Sequence, residues 1–133
     1  MESNYLQLNK INSPTDLKKL SYDELKVLSA EIREIIIKVV SENGGHLSSN
    51  LGVVDLTLAL HRVFDTPRDK IIWDVGHQCY THKIVTGRKD RIHAIRKKDG
   101  LLGFPDIEES EYDVLNTGHA STSLAFASGM AVA

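Results

Sequence analysis

Ile71-Ile72-Trp73-Asp74-Val75-Gly76-His77-Gln78 is a brief β-branched and aromatic run that breaks on a glycine and a histidine. A run of this kind is the mark of a buried strand in a parallel sheet, with its turn where binding crevices form. A helical stretch is expected from Gly76-His77 to Gly87, then a basic helical stretch near Arg88 to Lys98. Upstream, Asp65-Thr66-Pro67-Arg68-Asp69 reads as a turn. Before it, Leu51 to Phe64 is apolar nearly all round, the pattern of a helix buried on most sides. Helices alternating with a strand give an α/β pattern, though one strand alone is clear.

Further upstream, His46 to Asn50 reads as a short polar loop, and Asn43-Gly44-Gly45 stops the helix before it. That helix opens on Ser21-Tyr22-Asp23-Glu24, a capping box with a hydroxyl at the cap and a carboxylate three residues on. Leu25, Leu28, Ile32, Ile35, Ile36, Val39 and Val40 then fall on one helical face. Ser13-Pro14-Thr15-Asp16 starts a shorter segment reaching Leu20. Downstream, Leu101 to Val114 is irregular and acidic, with Glu108 to Asp113 expected as a solvated face. Asn116-Thr117-Gly118-His119-Ala120-Ser121-Thr122-Ser123 is a second glycine–histidine turn. It feeds Leu124 to Ala133, a small-residue apolar helix of the buried type without a cap or a polar face. The last carbonyls of such a helix need a continuation or a cover, so further chain is expected.

Composition narrows the class. The 133 residues are 41% hydrophobic and 26% charged, values of an ordinary globular domain rather than a disordered one. Sixteen basic residues against eighteen acidic ones give a net charge of −2, with none of the basic excess that nucleic acid or an anionic membrane demands. The single cysteine, Cys79, excludes an internal disulfide framework and fits a reducing compartment. Met1 to Lys10 lacks a signal-peptide pattern, and Lys38 and Asp55 interrupt the longest apolar runs. A cytoplasmic protein is expected.

The six histidines are informative by placement. His46 follows Gly44-Gly45, His77 follows Gly76, and His119 follows Gly118. Glycine permits close backbone approach, a helix N-terminus offers unpaired N–H groups to an anion, and histidine moves protons near neutral pH. A phosphate-bearing ligand is the natural expectation. His61 and His93 read as packing or surface residues, and His82 stands between the two groups. His77, Cys79 and His82 match no zinc spacing, and no metal ligand is assigned. Dinucleotide, Walker and nucleophile-elbow motifs are absent.

The same residues carry a family resemblance. Gly44-Gly45-His46-Leu47-Ser48-Ser49-Asn50-Leu51-Gly52-Val53-Val54-Asp55-Leu56-Thr57 resembles the first signature of the 1-deoxy-D-xylulose-5-phosphate synthases. Phe64 to Asp69 followed by Trp73 to Gln78 is similar to the second. Lys83 to Arg88, Gly103-Phe104-Pro105 and Thr117 to Ser123 continue the match in order, over about Asp16 to Ala133. General transketolases share the glycine–histidine turns, but Trp73 to Gln78 points to the synthases.

This resemblance implies a transketolase-like, thiamine-diphosphate- and magnesium-dependent transferase that condenses pyruvate with D-glyceraldehyde 3-phosphate and releases carbon dioxide. Its product feeds isoprenoid, thiamine and pyridoxal phosphate biosynthesis. Residues 1–133 would be the N-terminal part of a parallel-sheet cofactor domain, helix-rich here, with 1–12 a flexible lead-in. By position His77, Gly118, His119 and Ala120 would contact the cofactor, and His46 would serve substrate binding and proton transfer. Ala120 stands where many members carry serine. The family's magnesium turn, Gly-Asp-Gly, is expected beyond Ala133, as is the glutamate domain, so this chain alone is expected to be inactive. The full-length family implies a homodimer. Two rival readings are the N-terminal subunit of a split transketolase and a non-catalytic ligand-binding or interaction module.

Overall fold

The structure, a computed structural model, describes residues 5–133. Helix α1 (Pro14–Leu17) is opened by Ser13, whose backbone N–H donates to Asp16. Helix α2 (Tyr22–Asn43) begins on the expected capping box: Glu24 N–H donates to Ser21 Oγ at 3.3 Å, and Ser21 N–H to Glu24 Oε2 at 2.8 Å. Gly44, at φ +72°, stops it and donates its N–H to the Val40 carbonyl. Along α2, Leu28, Ile32, Ile36 and Val39 are buried, while Leu25, Ile35 and Val40 flank them half-buried. The periodic face is thus the core face.

A helical turn follows where the polar composition suggests a loop. Helix α3 (Leu47–Gly52) takes up most of residues 46–50 and meets α4 (Val54–Val63) at Val53. The reason is local: the His46 carbonyl accepts from both the backbone N–H and the side chain of Asn50. Helix α4 packs on α1 and α2 through Val54 and Leu58. Its Arg62 donates to the Leu17 and Leu20 carbonyls at 3.0 and 2.6 Å, satisfying the last carbonyl of α1 and one in the turn after it.

The expected strand is not formed. Residues 71–75 are irregular, and no strand is present among the described residues. A strand is held by a neighbouring backbone, and the described chain offers this run none. Trp73 is buried all the same, with Ile71 half-buried against the core. Helix α5 (Tyr80–Lys83) then runs into a kinked helical stretch, Ile84–Arg88, where Gly87 takes φ +88°, and into a 3₁₀ segment, Lys89–Ala94. Tyr80, Ile84, Val85, Ile92 and Ile95 close the core. Helix α6 (Thr122–Val132) buries no residue: Leu124, Phe126, Met130 and Val132 are all exposed. The apolar pattern read as buried faces outward here. No helix among the described residues is long and apolar enough to cross a membrane.

Of the lead-in expected over 1–12, residues 1–4 lie outside the described residues, and 5–12 pack. Leu8 and Ile11 are buried in the core. The Glu31 carboxylate accepts from the N–H groups of Leu6, Gln7 and Leu8. Lys89 Nζ holds the carbonyls of Leu8, Asn9 and Ile11.

Candidate functional site

The glycines before His46 do steric work. Gly44 and Gly45 take φ +72° and +137°, and a Cβ on Gly45 would stand 2.9 Å from the Tyr80 hydroxyl. His46 is then the residue before α3, exposed, and its ring meets that of His77 edge-on, with centroids 4.7 Å apart. Two of the histidines singled out by sequence therefore stand side by side, although 31 positions separate them. His77 is half-buried, and its Nδ1 is buried without a hydrogen-bond partner. An unpaired buried nitrogen is costly unless something else completes it, which fits a polar ligand group at this point.

Gly76 joins this turn to the second one. A Cβ there would stand 2.5 Å from Pro105 and 2.9 Å from Thr117, so the residue before His77 abuts the residue before Gly118. Asp74 completes the connection. Its carboxylate accepts from Ser123 Oγ at 2.8 Å and from the N–H groups of Ser121 and Ser123 at the start of α6. The Ser123 hydroxyl, with those N–H groups, holds the Asp74 carboxyl below the usual range. Asp74 thus serves as the helix-capping acid, a role that the serine-rich sequence around Ser121 hides. Gly118, His119 and Ala120 are exposed, and Gly118 has room beside it, the nearest atoms to an added Cβ being those of the Phe104 ring at 3.9 Å. His119 lines an open hollow with Thr117, Thr122 and Phe126. The backbone at 118–120 is thus open to solvent, and the His77 nitrogen has no partner within the chain. Among the described residues no cluster of His, Cys, Asp or Glu is arranged to hold a metal.

A buried polar chain runs from Thr66 to Asp113. Thr66 Oγ1 meets His61 Nδ1 at 3.0 Å, His61 Nε2 meets His82 Nδ1 at 2.9 Å, and His82 Nε2 meets Asp113 Oδ1 at 2.9 Å. A carboxylate only accepts, which settles the tautomers by chemistry. His82 donates from Nε2, His61 donates from Nε2 to His82, and the Thr66 hydroxyl donates to His61. Arg88 grips both Asp113 oxygens at 2.7 and 2.8 Å and reaches Glu109, which Lys83 also contacts. Burial, with the charges of His82 and Arg88, pushes His61 down to about 3. Burial also lowers His82 against the pull of Asp113. Burial would raise Asp113, but hydrogen bonds from Arg88 and His82 outweigh it, and its pKa falls.

One sequence expectation changes here, and another is refined. Glu109 and Asp113 are not a solvated face: they neutralise Lys83 and Arg88 in the interior, whereas Glu108 and Glu111 are exposed. His61 is a packing residue, as expected, but one joined to His82, while His93 is exposed. Sequence reading also passed over Asn50. Its carboxamide donates to the His46 and His77 carbonyls, contacts that no local pattern of the sequence announces.

The model of the family described as 1-deoxy-D-xylulose-5-phosphate synthase matches residues 8–133. Curated relatives bearing that name are similar along nearly the whole chain. The protein of Dictyoglomus thermophilum is 67% identical over 95% of this chain, and that of Syntrophomonas wolfei 62% over 95%. The protein of Idiomarina loihiensis is 59% identical over 100% of the chain. These matches cover 20%, 20% and 22% of the relatives' own lengths, so the chain spans about a fifth of the curated relatives it matches.

Proposed function

The chain belongs to the 1-deoxy-D-xylulose-5-phosphate synthase family, and on that premise we propose that it carries one part of a thiamine-diphosphate site. In this reading His77, Gly118, His119 and Ala120 hold the cofactor, and His46 faces the substrates. The observation that carries it is the abutment of Gly76 on Thr117, which brings the turn holding His77, whose Nδ1 lacks a partner, against the turn that leads into Gly118.

When bound, thiamine diphosphate supplies carbanion stabilisation through its ylid. The chain's own residues do the rest of the work assigned here. The N–H groups at 118–120 bind phosphate oxygens, and His77 Nδ1 completes its hydrogen bonding on the ligand. His46, exposed at the start of α3, gives or takes a proton at a substrate oxygen. Metal ligation by magnesium falls to residues other than these. The activity is that of the full-length protein: condensation of pyruvate with D-glyceraldehyde 3-phosphate and loss of carbon dioxide. Turnover is not expected of a fifth of that length. The run Ile71–Val75 becomes a strand of a parallel sheet once a neighbouring strand is supplied, and the apolar side chains of α6 are covered by further protein of the same enzyme.

Titration calorimetry of the 133-residue chain with thiamine diphosphate and magnesium tests the reading. Measurable binding that His77→Ala abolishes is the expected result, and no heat with either protein refutes it. In the full-length enzyme, His46→Ala should lower kcat by about a hundredfold or more while the protein stays folded. Unchanged kcat removes His46 from the chemistry.

A further inference from the structure

Asn50 is fully buried, and its carboxamide is engaged on both sides. Nδ2 donates to the His46 carbonyl at 2.8 Å and to the His77 carbonyl at 3.0 Å, while Oδ1 accepts from the Tyr80 N–H at 3.1 Å. One side chain therefore ties the start of α3, the Gly76–His77 turn and the start of α5. Both carbonyls belong to the two histidines whose rings meet edge-on. An amide is the group that can do this, because it offers two donors and an acceptor in one plane.

We propose that Asn50 is the positioning residue of the candidate site, setting the separation of His46 and His77 so that both rings serve one ligand. The nature of that ligand rests on the cofactor reading above; the geometry does not. The hydrogen bonds of Asn50 go to the two backbones, and it acts through them. Aspartate has the same shape but no donors, so it would set negative oxygens against two carbonyls. Serine at this helical position reaches back to the carbonyl four residues earlier, that of His46, but not across to His77. The two substitutions therefore separate the helical turn from the clamp.

The test compares the wild-type chain, Asn50→Asp and Asn50→Ser. Proton NMR reads the cross-relaxation between the His46 and His77 rings, with the His61 and His82 ring signals as the control for an intact interior. Calorimetry with thiamine diphosphate and magnesium reads affinity. The wild type should show the ring-to-ring signal. Both variants should lose it with the His61 and His82 signals unmoved, and cofactor affinity should fall about tenfold, the scale of one or two lost hydrogen bonds. If Asn50→Asp fails to fold, Asn50→Ser decides alone. Folded variants that keep the ring-to-ring signal and wild-type affinity overturn the proposal. A wild-type chain that binds no cofactor defeats the cofactor reading instead, and the ring-to-ring signal still judges the clamp.

Discussion

His82 Nε2 lies 2.9 Å from Asp113 Oδ1, with both side chains almost wholly removed from solvent. This bond ties α5, which follows the first glycine–histidine turn, to the segment that leads into the second. Asp113 also neutralises Arg88, so its carboxylate serves two elements at once. Asp113→Asn removes that charge and leaves Arg88 buried beside a neutral amide. A loss of about 1.5–3 kcal/mol is expected, the scale of hydrogen bonds to a charged group, because Glu109 still faces Arg88. Urea unfolding measures it. Asp23→Asn, at the fully solvated Lys26 pair, is the control and should leave the midpoint unmoved.

Acid should weaken the fold earlier than carboxylates alone would make it. In the native state His61 is held neutral down to about 3, and His82 is displaced in the same direction. Unfolded histidine titrates near about 6.5, so the unfolded chain binds more protons below that pH and stability falls as pH falls. Asp113, also lowered, adds its own loss below about pH 4, where an unfolded aspartate takes up a proton. Thermal midpoints should decline from pH 6.5 downward, and His61→Gln should flatten the slope between pH 6.5 and 4. An unchanged slope in that variant would show that His61 is not the titrating group.

Two glycines of the site separate packing from binding. Gly76→Ala meets Pro105 and Thr117 at φ +92° and should cost more than about 2 kcal/mol from overpacking and backbone strain together. Gly118→Ala has space, so stability should stay within about 0.5 kcal/mol of wild type. Its effect should instead be a weaker affinity for thiamine diphosphate, where the backbone at 118–120 is the contact. Denaturation and calorimetry on the same two samples check both statements.

Cys79 is fully buried, and burial pushes its thiol up to about 12. The thiolate is the reactive form, so a thiol reagent at pH 8 should modify the native chain slowly. Modification should become fast in concentrated urea. Rapid labelling of the folded chain would contradict the burial.

Helix α6 presents Leu124, Phe126, Met130 and Val132 to solvent, a surface that favours association. Light scattering should find the isolated chain self-associating as its concentration rises. Leu124→Ser with Phe126→Ser should shift it toward monomer, and a wild-type monomer at every concentration would disprove the expectation.

What depends on near neighbours is legible along the chain. The Ser21–Glu24 box, the stripe from Leu28 to Val39 and the glycines at 44 and 45 read correctly because caps, helical periodicity and positive φ are decided within a few residues. The ordered motifs around His46, His77 and His119 likewise identified the family. Tertiary structure decided everything that requires two distant segments. Ile71 to Val75 has strand composition, but a strand exists only with a partner backbone. Asp113 looked like one acid among several, and only folding set it against Arg88 and His82. Asn50 looked like loop filler until His46 and His77 arrived on either side of it. Spacing along the chain records local geometry, whereas burial and charge pairing arise from packing that a linear pattern does not encode.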